Sequence, residues 1–415
     1  MNHKLQPVRG TKDILEEDYK QFSYVQNVAR NVGSLYGFKE ISTPIFEFTE
    51  VFAKTLGEES DVVGKEMYSF EDRGGESITL RPEFTAGIAR AFISGGLTNQ
   101  LPLKLFATGP LFRYERPQKG RQRQFHQINF ELMGAAQPQA DVEVISMGAH
   151  ILEALGISDK TKLELNSLGD KESREKYRNA LVEYLNDYKD SLSDDSKNRL
   201  LKNPMRILDS KDEGDKKIVA DAPVIGEYYS NEASDFFSSV KEGLDGLGVK
   251  YELNNRLVRG LDYYCHTAFE FTTDALGAQN AVLAGGRYDG LISMMGGNDT
   301  PAVGFAGGVE RLVALSGKTI SSKRPVVIIP IGQVAEKEAV FLAGVLRKEG
   351  IYIELGYSGN VKKRMKKANN INAKAAVIFG DVEMSNKVAK LKDFDSGNEI
   401  EVSTDGLLDA ISAIL

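Results

Sequence analysis

The chain has 415 residues, 41% of them hydrophobic and 27% charged, with a formal net charge of −7. That balance suits a globular protein of two or three domains, and no apolar run approaches the roughly 18 residues a membrane helix needs. The N-terminus lacks the apolar core of a secretory signal, and the single cysteine, Cys265, excludes an intrachain disulfide and a cysteine-based zinc site, so a cytoplasmic location is expected.

In chain order, residues 18–36 have helical spacing and run into Gly37, a helix-ending residue. A strand is expected over 38–46. Pro44 cannot donate to a ladder, so it marks an edge or a bulge. The run Thr-Leu-Arg-Pro-Glu-Phe-Thr-Ala at 79–86 places Glu83 at a helix start, where the dipole favours a carboxylate. The same carboxylate, with Thr85, is suited to receive an ammonium group.

Residues 103–134 read as a hairpin whose arms, 105–115 and 124–133, flank a basic loop. Between Arg113 and Arg123 stand five basic residues and one acid. Strand alternation puts Arg113 and Glu115 on one face, and Phe125, Gln127, Asn129 and Glu131 on one face of the second arm. Gln127 and Glu131 then lie about 13 Å apart at roughly 3.3 Å per residue, a length that suits a small molecule held end to end. A forked guanidinium such as Arg113 stabilises charge developing on an α-phosphate. Glu115 is placed to accept from the exocyclic amine of adenine, Phe125 to stack on the purine, and Arg121 to reach terminal phosphates. His3, His126, His150 and His266 show no metal spacing, and His126 alternates away from the Gln127 face, which makes it a residue of packing or local hydrogen bonding.

Residues 170–250 are rich in Lys, Glu, Asp and Ser with helical spacing, and read as a helical insertion between two pieces of a sheet domain, 1–169 and 251–320. The run Leu-Val-Arg-Gly-Leu-Asp-Tyr-Tyr at 257–264 holds Arg259 beside Tyr263 and Tyr264. Strands follow at 268–271 and 281–290, and a glycine-dense segment ends in a helix near 312. Glycines at 304–308 do not match a dinucleotide fingerprint. After a linker at 321–325, strand and helix alternate over 326–415, giving an α/β domain. Its helix at 361–369 opens a stretch, 361–374, with six basic residues and no acid. Two basic patches on an acidic chain fit a large polyanion held at defined points.

The blocks at 257–264, Gly-Gly-Arg-Tyr-Asp-Gly at 285–290 and the hairpin resemble those of bacterial histidyl-tRNA synthetases, and the similarity runs from Arg-Gly-Thr-Lys-Asp at 9–13 to the C-terminal domain. The resemblance implies a class II α+β catalytic domain on an antiparallel sheet, a helical insertion and a C-terminal anticodon-binding domain. It implies that Glu83, Thr85 and Gln127 hold the α-amino group of histidine, and that Glu131, Tyr263, Tyr264 and Tyr288 surround the imidazole. It implies further that Arg113 and Arg311 bind ATP phosphates, and that Arg259 meets the α-phosphate and the histidine carboxylate. The basic loop, which lies beside that site, is expected to meet the acceptor end of tRNA(His), with Arg116 and Gln118 near the first base pair. ATP with Mg²⁺, no zinc, and a homodimer through 37–48 and the preceding helix complete the expectation. Phe84 stands where many relatives have glycine, so its ring either narrows the pocket or packs outward. The rival reading is a non-catalytic paralogue, the regulatory subunit of ATP phosphoribosyltransferase. The presence of Arg113, Arg121, Arg259 and Arg311, and of some 90 residues after the linker, disfavours it.

Overall fold

The computed structural model describes residues 5–56, 65–117, 121–259, 263–277, 281–318, 320–321 and 323–415. The chain divides into two units, Met1–Ile320 and Ser321–Leu415.

The first unit opens with α1 (Glu16–Leu35), whose first turn carries Glu16, Glu17 and Asp18. Gly37, at φ +80°, ends it, and the Phe38 N–H returns to the Gly33 carbonyl, the exit expected of a glycine at that position. The strand expected over 38–46 is divided into β1 (Lys39–Glu40) and β2 (Phe46–Phe48), which join different sheets. The ladder stops where Pro44 has no N–H to give. The carbonyls of Thr43 and Pro44 accept instead from the Arg81 guanidinium.

Next come α2 (Thr49–Leu56), β3 (Tyr68–Glu71), β4 (Ser77–Leu80) and α3 (Thr85–Ser94). The hairpin is β5 (Leu103–Phe112) and β6 (Gln124–Met133), paired without interruption. β5 is shorter than expected. Arg113 and Glu115 lie just past its end, because the Tyr114 N–H leaves the ladder for the Glu66 carbonyl.

After α4 (Pro138–Ala154) and β7 (Lys162–Ser167) come α5 (Lys171–Asp187), α6 (Asp194–Lys202), α7 (Glu213–Ala220) and α8 (Asn231–Gly246). Asp170, Ser193, Asp212 and Ser230 cap these four helices through their side chains, as Asp and Ser favour. Tyr177, Leu181, Leu200, Ile207 and Val219 form a separate apolar cluster, while α8 gives Phe237, Val240 and Leu244 to the main core. The unit closes with β8 (Glu252–Leu253), β9 (Cys265–Thr272), β10 (Ala281–Arg287), α9 (Leu291–Met294), β11 (Ala302–Gly308) and α10 (Val309–Ser316).

Its main sheet has the order β1-β5-β6-β11-β10-β9-β7-β8. The six central strands are antiparallel, and the two edge strands pair parallel. One face is the core. Phe130 of β6 packs between Phe106 and Phe305, and a Cβ at Gly33 of α1 would stand 2.5 Å from its ring. The other face carries the polar side chains of β6.

The second unit contains β12 (Val326–Ile331), α11 (Gln333–Lys348), β13 (Ile353–Leu355), α12 (Val361–Asn370), β14 (Ala375–Gly380), α13 (Asp381–Ser385), β15 (Val388–Asp393), β16 (Glu399–Ser403) and α14 (Leu407–Ser412). The sheet order is β13-β12-β14-β15-β16, parallel through the first three strands and antiparallel through the last two. On α12, Lys362, Lys363, Lys366 and Lys367 are all exposed. Arg364 is not part of that face. It turns inward to the Pro330 carbonyl and to Glu336 at 3.2 Å.

Candidate active site

The polar face of β6 forms the floor of a cavity of about 250 Å³. Because side chains alternate along a strand, Gln127, Asn129 and Glu131 point into it while Ile128, Phe130 and Leu132 enter the core. Two glycines let the floor lie flat. Gly304 pairs with Glu131 across β11 and β6, and a Cβ there would stand 1.8 Å from a Glu131 carboxylate oxygen. A Cβ on Gly286 would meet the Tyr264 ring at 3.0 Å.

Glu131 is 1% exposed. It accepts from Thr85 Oγ1 at 2.6 Å, from Asn129 Nδ2 at 3.0 Å and from the Tyr288 hydroxyl. Burial outweighs these donors and pushes its carboxyl up to about 7. Glu83 is buried too, and accepts from the backbone N–H groups of Thr85 at 2.6 Å and Ala86 at 2.8 Å. Glu83 sits just before the start of α3 and lines the cavity. Burial raises its carboxyl despite those N–H donors.

The rings of Tyr263, Tyr264 and Tyr288 meet at centroid distances of 4.6, 5.5 and 6.3 Å and close one side. Arg113 donates through Nε to the Pro82 carbonyl at 2.9 Å and lies over the Phe125 ring. Arg259 pairs with Glu270 of β9 and lies over the Tyr264 ring. Its Nε is buried without a hydrogen-bond partner among the described residues. Phe84 is 1% exposed and packs in the apolar cluster behind the cavity. The Arg81 guanidinium sits 4.5 Å from its ring centre, so the phenyl group forms part of the cavity wall without swinging into the opening.

A second cavity of about 180 Å³ shares Arg113, Gln127, Ala284 and Ala306 with the first. It adds Glu115, Arg121, Phe125 and Arg311. Arg121 pairs with Glu115 at 3.0 Å, and Arg311 donates to the Ala281 carbonyl at 2.6 Å. His126, facing away, packs edge-on to Phe22 and meets Glu310 at 3.0 Å. Arg116 lies outside both cavities. Gln118 lies outside the described residues, as do positions 260–262 of the 257–264 block.

The other residues named from sequence line one cavity or both. Sequence reading gave no role to Asn129, although its alternation with Gln127 and Glu131 was a usable signal. Glu270, Arg81 and the glycine floor carried no local signal, since each acts through a partner distant in sequence. Among the described residues no group of three His, Cys, Asp or Glu side chains is arranged to hold a metal ion.

Residues 10–312 match the family model for histidyl-tRNA synthetase, and residues 325–414 match that for an anticodon binding domain. The chain belongs to the histidyl-tRNA synthetase family. It is 58% identical to the histidine–tRNA ligase of Wolbachia pipientis wMel over 98% of this chain and 99% of that one. Against the Rhodospirillum rubrum histidine–tRNA ligase the identity is 57%, covering 95% of each chain. The apo Staphylococcus aureus histidyl-tRNA synthetase structure superposes with a TM-score of 0.83 at 35% identity, over 98% of this chain and 99% of that chain. A Bacillus halodurans structure described as an ATP phosphoribosyltransferase regulatory subunit/histidyl-tRNA synthetase is 23% identical with a TM-score of 0.66, over 92% of this chain and 99% of that chain, a likeness of fold.

Proposed function

We propose that the chain activates L-histidine with ATP to histidyl-adenylate and transfers the histidyl group to the 3′ end of tRNA(His). The observation that carries this reading is a pair of adjoining cavities with Arg113 in the wall of both. One is lined by buried carboxylates and tyrosine rings, the other by three arginines and a phenyl ring.

Histidine occupies the first cavity. Its ammonium group meets Glu83, Thr85 and Gln127, and its imidazole meets Glu131, Tyr263, Tyr264 and Tyr288, with Phe84 packed behind. ATP occupies the second, with Phe125 against the purine, Glu115 accepting from the exocyclic amine, and Arg121 and Arg311 on the outer phosphates. Mg²⁺ arrives with those phosphates as part of the nucleotide substrate. A histidine carboxylate oxygen attacks the α-phosphorus, the bond to the bridging oxygen breaks, and pyrophosphate leaves. Arg113 and Arg259 stabilise the charge growing on the α-phosphate oxygens. The terminal ribose hydroxyl of the tRNA then attacks the activated carbonyl, and AMP leaves. A buried polar pocket rejects amino acids that leave its groups unpaired, so selection needs no editing site.

Arg116 and Gln118 belong to the loop proposed to meet the acceptor end, and the lysine face of α12 is the proposed contact to the anticodon arm. The homodimer is proposed through 37–48 and α1. Ile45, Phe46, Phe48 and Phe70 are 44%, 56%, 50% and 49% exposed, an apolar cluster that a partner copy would cover. No described helix is long and apolar enough to cross a membrane, which suits work in the cytoplasm. Histidine-dependent exchange of pyrophosphate into ATP, followed by charging of tRNA(His), tests the assignment. A protein that binds histidine and catalyses no exchange would be the regulatory paralogue instead.

A further inference from the structure

The strand behind the tyrosine pair is broken at one point. Gly286 of β10 pairs with Ala268 of β9, yet the next residue, Arg287, pairs with Cys265. His266 and Thr267 are therefore extra residues on β9, a bulge of the kind that re-aims side chains beside active sites. His266 adopts φ +44°, a left-handed conformation that most residues, β-branched ones above all, enter with strain, and that glycine, asparagine, aspartate and histidine enter more readily.

The surrounding contacts hold the backbone at this position. The His266 N–H donates to the Gly169 carbonyl at 2.9 Å, and its carbonyl accepts from the Leu168 N–H at 2.6 Å. The side chain does less. Its ring lies against Phe236 with centroids 4.6 Å apart, and Nδ1 is buried without a hydrogen-bond partner among the described residues. Just upstream, the Tyr264 carbonyl accepts from Arg174 of α5 at 2.8 Å, the Tyr264 ring rests on Gly286, and Tyr263 packs on Tyr264. Tyr263 and Tyr264 thus come directly ahead of β9 and its bulge.

We propose that His266 is a positioning residue for substrate selection: its left-handed backbone aims Tyr263 and Tyr264 into the first cavity. This rests on the reading that the cavity takes histidine. The requirement is conformational. Residues that tolerate positive φ should substitute for His266, and a β-branched residue should not.

The test uses full-length His266→Gly, His266→Asn and His266→Val, with pyrophosphate exchange giving kcat and the KM values for histidine and ATP, and thermal melting reporting folding. Glycine and asparagine should keep the histidine KM within about threefold of the parent, while valine raises it about tenfold or more. The ATP KM should stay within about twofold throughout, since Arg113, Arg121 and Arg311 stand on other elements. A valine variant with the parental histidine KM overturns the proposal, as does a glycine variant impaired as much as valine, which would make the ring the important part. Should the valine variant not fold, His266→Ala replaces it and is compared with asparagine, under the requirement that alanine be at least about threefold worse. Failure of the reading beneath is distinguishable, because the parent protein would then show no histidine-dependent exchange at all.

Discussion

Removing the Arg259 side chain should have two separable consequences. Arg259 and Glu270 are only 17% and 19% exposed in their side chains, and burial already raises the Glu270 carboxyl against the pull of Arg259. Arg259→Ala therefore strands a largely buried carboxylate. The expected cost is about 3 kcal/mol of unfolding free energy, the low end for breaking a buried pair because some solvent contact remains. The chemical consequence is distinct: losing one preorganised donor to an α-phosphate oxygen typically costs roughly 10²–10³ in rate. Adding Glu270→Gln to Arg259→Ala removes the stranded charge. The double variant should recover most of the stability and none of the exchange rate. Urea unfolding and single-turnover adenylate formation, measured on both variants, separate the effects. Recovery of exchange together with stability would show that Arg259 only braces the fold. A single variant within about threefold of the parent rate would remove it from the chemistry.

Other outcomes follow from the same geometry. Glu131 is raised in the fold to about 7, so the stability it contributes is full below its unfolded value, near 4.5, and is lost as pH rises through 7; Glu131→Gln should flatten that loss, and unliganded melting curves from pH 5 to 8 that coincide for both proteins would refute it. Asp215 is the opposite case. Burial works against its ionised form, but Ser196, Ser210 and Ser193 donate to it and hold it down to about 2. Its contribution is present above its unfolded value near 4 and fades as pH falls towards 2, so Asp215→Ala should cost about 2 kcal/mol at neutral pH and loosen the α5–α7 region in hydrogen exchange. Removing residues 326–415 should weaken tRNA(His) charging far more than pyrophosphate exchange, and charging equal to that of the full chain would take anticodon recognition away from this unit. Replacing Lys362, Lys363, Lys366 and Lys367 should flatten the salt dependence of tRNA binding by about 0.7–0.9 for each phosphate that is no longer neutralised, whereas Arg364→Ala should act on folding through Pro330 and Glu336.

The sequence alone determined which β6 residues face the cavity, because alternation is a property of the extended backbone and needs no partner. It also determined the helix exit at Gly37, the helical character of 170–250, and the alternating elements that begin the second unit, since glycine exits and helical or strand periodicity act within a few residues. The tertiary structure decided what depended on a distant partner. Position 304 must be glycine only because β11 lies beside β6 and brings it against Glu131. Phe84 stays in the wall because Arg81, braced on Thr43 and Pro110, covers its ring. The continuous strand over 38–46 gave way to two pieces because Pro44 has no N–H for a ladder and Arg81 claims the carbonyls of Thr43 and Pro44. Arg364 left its basic row because acceptors lay within reach on β12 and α11. The hairpin β15–β16 has no comparably regular pattern of its own, since its outer strand is largely exposed and nothing forces apolar alternation on it. Local pattern fixes which way a side chain points, and the order of strands in the sheet fixes what it meets there.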